Sequence, residues 1–531
     1  MTCLEAISGR GRRMKVRALR VPPDLEAVFR RLAGRPGCVW LDSAGGPPGL
    51  ARWSVLAAEP SAILTTEGDA TRLVGRGGRA ISWRRGRPFD ALREALLAAR
   101  HDDGPGPALP FGPGFYGYLA YDLAPYVEPT VPLAARQDIP LPDLWFGLYD
   151  AALVVDHQAG QAYLVGAEGE AWSALEAALE APPAPALSEK SRGDRPVAAA
   201  PEGRRAPEEH RAAGGSLPAV AGPPLPGRGA EPPPSGAFWN LSRQAYLAAV
   251  ERARHYIAAG DIFQVNLSRR LTVPWPALRE SPETERGGPW PALYSRLRRA
   301  NPAPYAAYIG LDADRAVLSS SPELFLDLGA GDLADRIVTR PIKGTRPLRP
   351  GDEALNRRMR EDLQASAKDR AELVMIVDLE RNDLGRVASY GSVRVAEPHA
   401  LEAYAAVYHT VATVEGRLHP GRDLVDLLKA TFPGGSISGA PKVRAMQIIA
   451  ELEPTRRSVY TGAVGYLGPP SPRRPAGRCR LSIAIRTILA AAGAVHVQVG
   501  GGIVADSEAQ AEFEETADKA RAMLAALGLA T

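Results

Sequence analysis

The chain has 531 residues, and Lys+Arg 64 against Asp+Glu 60 leave a formal net charge of +4. That balance excludes the strongly basic surface of a nucleic-acid protein. With 45% hydrophobic and 23% charged residues, wholesale disorder is excluded as well. Cys3, Cys38 and Cys479 are too scattered for a disulfide framework or a zinc site, and a reducing, cytoplasmic compartment is expected.

In chain order, the basic start (Arg10, Arg12, Arg13, Lys15, Arg17) lacks an apolar core and does not read as a signal peptide. Residues 1–13 read as an extension. VWLDSA (39–44), YLAYDLA (118–124) and AALVVDH (151–157) read as strands from their β-branched and aromatic content, within an N-terminal domain 1–180. Residues 181–237 contain no aromatic residue, no Ile and no Met. They are expected to be a disordered linker or insertion, because they offer too little apolar surface to offset ordering entropy. Residues 279–289 read as a smaller loop.

Region 238–531 carries more pattern. Tyr246, Ala249, Val250, Ala253 and Ile257 fall at helical spacing, and Gly260 ends that helix. Residues 262–273 alternate as a strand, with Gln264, Asn266 and Ser268 on one face. Helices are expected over 440–452, with Pro441 in its first turn, and over 507–527, with Ser507 as N-cap. No apolar run reaches the roughly 18 residues of a membrane span.

Five clusters could carry chemistry. Glu323 follows a Ser/Pro turn in SSSPELFL, where it could serve as a general acid or base. Lys343 lies in RPIKGTRP and could be a nucleophile if desolvated. Glu372 opens an apolar helix, and Glu515 lies on another; together they could hold Mg²⁺, a hard cation that takes oxygen ligands. Residues 434–439 and Gly500, Gly501 and Gly502 read as two glycine loops offering backbone N–H groups to an anion. Arg486, read within a strand, offers a carboxylate clamp. Each has a plain alternative. Glu515 and Lys519 are an i,i+4 pair, Lys343 by itself is a turn lysine, Arg486 an ion-pair residue, His409 a satisfied core histidine, and the glycines turns.

Taken together, GDIFQVNLSRRL, SSSPELFL, PIKGTRP, ELVMIVDLERNDLGRV, FPGGSISGAPKVRAM, TGAVGYL, IAIRT and GGGIVADSEAQAEFEETADKA resemble the chorismate-utilising enzymes in family order. The resemblance implies an α+β, two-lobed fold of packed, largely antiparallel sheets with outer helices. It implies Glu323 as the acid, Glu372 and Glu515 as Mg²⁺ ligands, Tyr466, Arg486 and the Gly500, Gly501 and Gly502 amides at a carboxylate, and Thr345, His409 and Ser436 along the ring of chorismate.

Two positions discriminate within that family. Its isochorismate-forming members carry a water-activating Lys where this chain has Gln264, a side chain that does not titrate near neutral pH; Gln264 is expected to line the substrate. Anthranilate synthases typically read P-I-A-G-T where this chain has PIKGT at 341–345. A Lys there marks the aminodeoxychorismate synthases and is proposed to attack ring carbon 2 of chorismate before ammonia enters at carbon 4. The expected activity is therefore that of an aminodeoxychorismate synthase component I, for 4-aminobenzoate and folate; the alternative is anthranilate synthase component I. No Cys sits in a glutaminase context, so a separate glutamine amidotransferase subunit is expected to supply ammonia. The family's tryptophan-binding L-L-E-S motif is matched only in part, by Leu41, Asp42 and Ser43, where Ser43 as a turn cap is the plain reading.

Overall fold

The computed structural model describes residues 14–180 and 236–529, except 21–22, 48, 77, 84–85, 102–108, 135, 276–287, 330 and 332. The extension 1–13, nearly all of the 181–237 linker and most of the 279–289 loop lie outside the described residues.

Among the described residues, two twelve-stranded sheets form the centre, and both chain segments contribute to both. In the first, N-terminal strands end at Val39–Asp42, which pairs antiparallel with Tyr305–Gly310 of the C-terminal segment. In the second, Gly114–Leu119 pairs antiparallel with Ala463–Gly468. Met1–Ala181 and Pro233–Thr531 thus make one compact unit. Strands such as Leu144–Tyr149 (LWFGLY) and Ala151–Asp156 (AALVVD) are buried along their whole length. Their continuous apolar runs fit strands covered on both faces.

The core is layered accordingly. Between the sheets lie Val39, Leu41, Tyr116, Tyr118, Ile309, Val464 and Tyr466. The outer face of the first sheet packs under Leu25–Leu32, Glu170–Glu180, Trp290–Ala300 and Ala509–Ala526. That of the second packs under Pro88–Ala98, Ala367–Gly385 and Leu424–Thr431. Polar caps fix several of these helices: Asp24 accepts from the backbone N–H groups of Glu26 and Ala27, Ser242 accepts from that of Ala245, and Asp423 and Asp426 form a capping box.

The helix expected from Tyr246 onward is Arg243–Ala258, and the alternating segment is the strand Gln264–Pro274. Four local expectations change. The YLAYDLA segment is not one strand: the strand ends at Leu119, and Tyr121–Tyr126 is a 3₁₀ turn containing Pro125, which cannot donate to a ladder. Pro441 precedes its helix, Lys442–Leu452, as the N-cap residue. Ser507 does not cap the last helix, Ala509–Ala526, because its hydroxyl donates to Glu512 Oε1 at 2.7 Å. The Gly500, Gly501 and Gly502 run is not a loop but lies within the strand Ala494–Ile503.

The seam of the second sheet sets glycine against glycine, Gly117 opposite Gly465. A Cβ on Gly117 would lie 1.9 Å from the Trp145 carbonyl oxygen, and this backbone sits in a packed interior that has no room to shift. Gly117→Ala is therefore expected to destabilise the chain by about 1–3 kcal/mol or more, read as a lower midpoint in urea unfolding.

Candidate active site

The site forms where the strands Gln264–Pro274, Ala494–Ile503 and Ile342–Pro347 meet the helices Ala367–Gly385 and Ala509–Ala526. Lys343 lies opposite Thr410 in its sheet, and its Nζ is 3.9 Å from Glu372 Oε2. Burial lowers the Lys343 pKa; Glu372, Glu323 and Glu515 oppose that shift, and Lys519 adds to it. The glycine strand makes room for these groups. A Cβ on Gly502 would stand 2.8 Å from Gln264 Nε2 and 3.2 Å from Lys343 Nζ, and one on Gly501 would stand 2.9 Å from Glu512 Oε2. Gln264 is fully buried, yet neither its amide nitrogen nor its amide oxygen has a partner among the described residues. A buried polar group in that condition calls for a ligand or water.

Glu323 enters from the turn before the strand Leu324–Leu328. Ser436, in the 3₁₀ turn Gly435–Ile437, donates to Glu323 Oε1 at 2.7 Å. Burial pushes the Glu323 carboxyl up to about 7, against the Ser436 hydrogen bond and the Lys343 charge. The Ser436 loop is pinned from behind: buried Lys442 donates to Asp383 Oδ2 at 2.6 Å, to the Thr431 carbonyl at 3.1 Å and to the Pro433 carbonyl at 3.2 Å.

His409 Nδ1 is 3.0 Å from Thr345 Oγ1 and 3.3 Å from the Gly344 carbonyl. Because that carbonyl only accepts, Nδ1 carries the hydrogen and Nε2 is left as an acceptor. Burial pushes the imidazole down to about 4, helped by the Arg486 and Lys519 charges. The ring is therefore neutral at neutral pH.

Arg486 sits in the break between the strands Arg478–Ile483 and Thr487–Ala491, with φ +52°, rather than within a strand. Burial lowers its pKa, and Tyr460 and Glu515 are the groups whose charges oppose that. Tyr466 is not beside it. Tyr466 is buried between the sheets against Phe111 and Tyr116, where it donates to the Pro113 carbonyl at 3.1 Å. Tyr460 takes the place expected for Tyr466. The strings could not separate the two tyrosines, which lie six residues apart; the all-buried strand AVGYLG is the signal that Tyr466 belongs to the core.

Glu372 and Glu515 lie on facing helices, and each counts among the charges that shift the other's partners. Burial raises the Glu372 carboxyl, with Glu515 adding to that rise, whereas Lys519 at 2.6 Å holds Glu515 low despite its burial. Lys519 also donates to the Gly500 carbonyl at 2.9 Å. The described residues contain no group of three or more His, Cys, Asp or Glu arranged around a cation. The oxygen donors of Glu372 and Glu515 are nevertheless of the kind Mg²⁺ takes, one or two carboxylates with the remaining ligands from outside the protein.

Away from this site, Ser43 is not a turn cap: its hydroxyl donates to the Trp53 carbonyl at 2.7 Å and lies 3.2 Å from the Pro304 carbonyl. With Leu50, Phe111, Arg480 and Ser482 it lines a small cavity. Asp42 beside it is occupied by Arg298, whose Nε donates at 2.7 Å.

Comparison with known proteins identifies the family. The family model described as chorismate binding enzyme matches residues 37–525. Aminodeoxychorismate synthase component 1 of Klebsiella aerogenes is 39% identical over 505 residues, covering 95% of this chain and 96% of that protein. Anthranilate synthase component 1 of Streptomyces coelicolor is 39% identical over 498 residues, covering 92% and 83%. Among solved structures, anthranilate synthase component I from Streptococcus pneumoniae superposes with a TM-score of 0.63 at 30% identity, over 89% of this chain and 92% of that one. With the family match spanning nearly the whole described chain, this protein belongs to the chorismate binding enzymes.

Proposed function

We propose that this chain is an aminodeoxychorismate synthase component I, converting chorismate and ammonia to 4-amino-4-deoxychorismate and water, with folate as the expected destination. The observation that carries the reading is Lys343, a buried amine facing Gln264 and Gly502. Relatives of both activities are equally similar, so the choice rests on this side chain.

The chemistry follows from what each residue can do. Burial favours the free amine of Lys343, the form that attacks carbon. Its nitrogen bonds to ring carbon 2 as both ring double bonds shift, to carbons 1 and 6 and to carbons 4 and 5, and the 4-hydroxyl departs. Hydroxide is a poor leaving group, and Glu323, with its carboxyl near 7, is protonated often enough to hand it a proton, so that water leaves. Ammonia then bonds to carbon 4, both double bonds return, the lysine amine is expelled, and one proton from the ammonia nitrogen restores Glu323. Gln264 supplies no base, which disfavours water as nucleophile. Neutral His409 and Thr345 orient the ring, and Arg486 with Tyr460 would take a carboxylate. Mg²⁺, held by Glu372 and Glu515, would neutralise a second carboxylate when bound. A separate glutamine amidotransferase subunit would supply the ammonia.

The first test is mass spectrometry of the product formed from purified protein, chorismate, Mg²⁺ and ammonium. 4-Amino-4-deoxychorismate with its enolpyruvyl group intact is expected; anthranilate with released pyruvate would overturn the reading. Lys343→Ala is expected to lower amination by about a hundredfold or more, the scale of losing one positioned reacting group, and unchanged turnover would remove the covalent step.

Glu323 gives a prediction without substrate. Its carboxyl is raised in the folded chain from 4.5 to about 7, so its contribution to stability is complete at low pH and is lost as pH rises through about 7. Glu323→Gln should match the parent near pH 5 and exceed it at pH 8–9 by about 3 kcal/mol. Thermal unfolding across pH reads this directly, and a pH-independent difference would contradict a buried carboxyl.

A further inference from the structure

Arg457 touches none of the expected substrate groups, yet its guanidinium reaches residues that neighbour Ser436, Gln264 and Tyr460. It is 1% exposed. Nε donates to Glu453 Oε2 at 2.9 Å, and Nη2 donates to Glu453 Oε1 at 2.7 Å and to the Asn266 carbonyl at 2.8 Å. Nη1 donates to the Ile437 carbonyl and to Thr461 Oγ1, both at 3.2 Å. A guanidinium has five N–H donors in a fixed plane, and all five are used. The face of that plane lies over Tyr121 at 4.8 Å and near Tyr460 at 5.8 Å, within reach of cation–π attraction.

Each acceptor neighbours a group of the site. Ile437 follows Ser436, the donor to Glu323. Asn266 lies two residues beyond Gln264, on the same face of its strand. Thr461 follows Tyr460. Glu453, the anchoring carboxylate, also accepts from the Ser268 N–H and hydroxyl, both at 2.8 Å, and Ser268 pairs with Gly500. The segment carrying Arg457 and Tyr460 is held in a costly shape: Ser458 and Thr461 have φ of +54° and +59°, a region that side chains other than glycine adopt only where surroundings enforce it. Part of that enforcement comes from the N-terminal segment, where Asp122 accepts from the Ser458 N–H at 3.2 Å and the Tyr121 N–H donates to the Ser458 carbonyl.

We infer that Arg457, anchored by Glu453, is a positioning residue that sets Ser436 on Glu323, Gln264 in its strand and Tyr460 beside Arg486 as one rigid constellation. The inference rests on the site turning over chorismate, not on which product forms. Lysine cannot replace it, because an ammonium offers three donors at one point rather than five spread over a rigid plane.

The test follows chorismate consumption, so that it stands whichever product appears. Arg457→Lys, checked for the parent's circular dichroism, should lose about tenfold or more in kcat, the scale of one or two charge-assisted hydrogen bonds. In a Ser436→Ala background the same change should cost far less, because both act through one contact. Glu453→Gln, which keeps Arg457 and can still accept, is the milder variant should Arg457→Lys fail to fold, and it should show the same non-additivity. A folded Arg457→Lys with unchanged kcat, or losses that multiply with Ser436→Ala in either variant, would overturn the inference.

Discussion

The ammonium of Lys442 is the constraint from which the catalytic end hangs. It is buried with Asp383 at 2.6 Å, and its other two hydrogens meet the carbonyls of Thr431 and Pro433. A buried charge left without these partners would carry a large desolvation cost. The loop that follows therefore has one arrangement, and in it Ser436 meets Glu323. The carboxyl can be both buried and hydrogen-bonded only because that loop cannot drift. The position of Glu323 thus depends on a lysine that does not touch it.

The site is built on opposed electrostatic demands. The proposed covalent route needs Lys343 as a free amine and Glu323 as a protonated acid, and burial moves both in that direction. The same burial leaves His409 neutral. Glu515 departs from this pattern because the Lys519 charge holds its carboxyl low. Neighbouring buried carboxylates thus shift oppositely: Glu323, whose partner is the neutral Ser436 hydroxyl, is raised, and Glu515, paired with the Lys519 charge, is lowered.

Much of this was legible in the residues. Helical spacing placed Arg243–Ala258, alternation placed Gln264 on the site face of its strand, and the strings placed Glu323, Lys343, Thr345, Glu372, His409, Ser436, Arg486 and Glu515 together. What escaped has physical causes. Glycines statistically break strands, yet Gly500, Gly501 and Gly502 keep theirs because the space of the missing side chains is taken by the Leu267 carbonyl and Ser268 at Gly500, by Glu512 at Gly501, and by Gln264 and Lys343 at Gly502. Arg486 reads as a strand residue, although a positive φ turns it out of the ladder. Tyr466 and Tyr460 cannot be told apart by motif, since the choice is made by which one the sheet buries. Arg457 follows another arginine, Arg456, and a charge pair carries no mark of what its hydrogens reach.

The way the two segments share their sheets has a consequence for how such a chain can change. Tyr305–Gly310 and Ala463–Gly468 are interior strands only because Val39–Asp42 and Gly114–Leu119 lie against them. Taken alone, the segment bearing Lys343 would present two long apolar edges with unpaired backbone groups, the condition that leads to strand-to-strand association between molecules. The N-terminal segment thus covers both of these edges. Fusion, swapping or shortening of such a chain has to conserve both strand pairings together, so the smallest heritable module is larger than the part that does the chemistry.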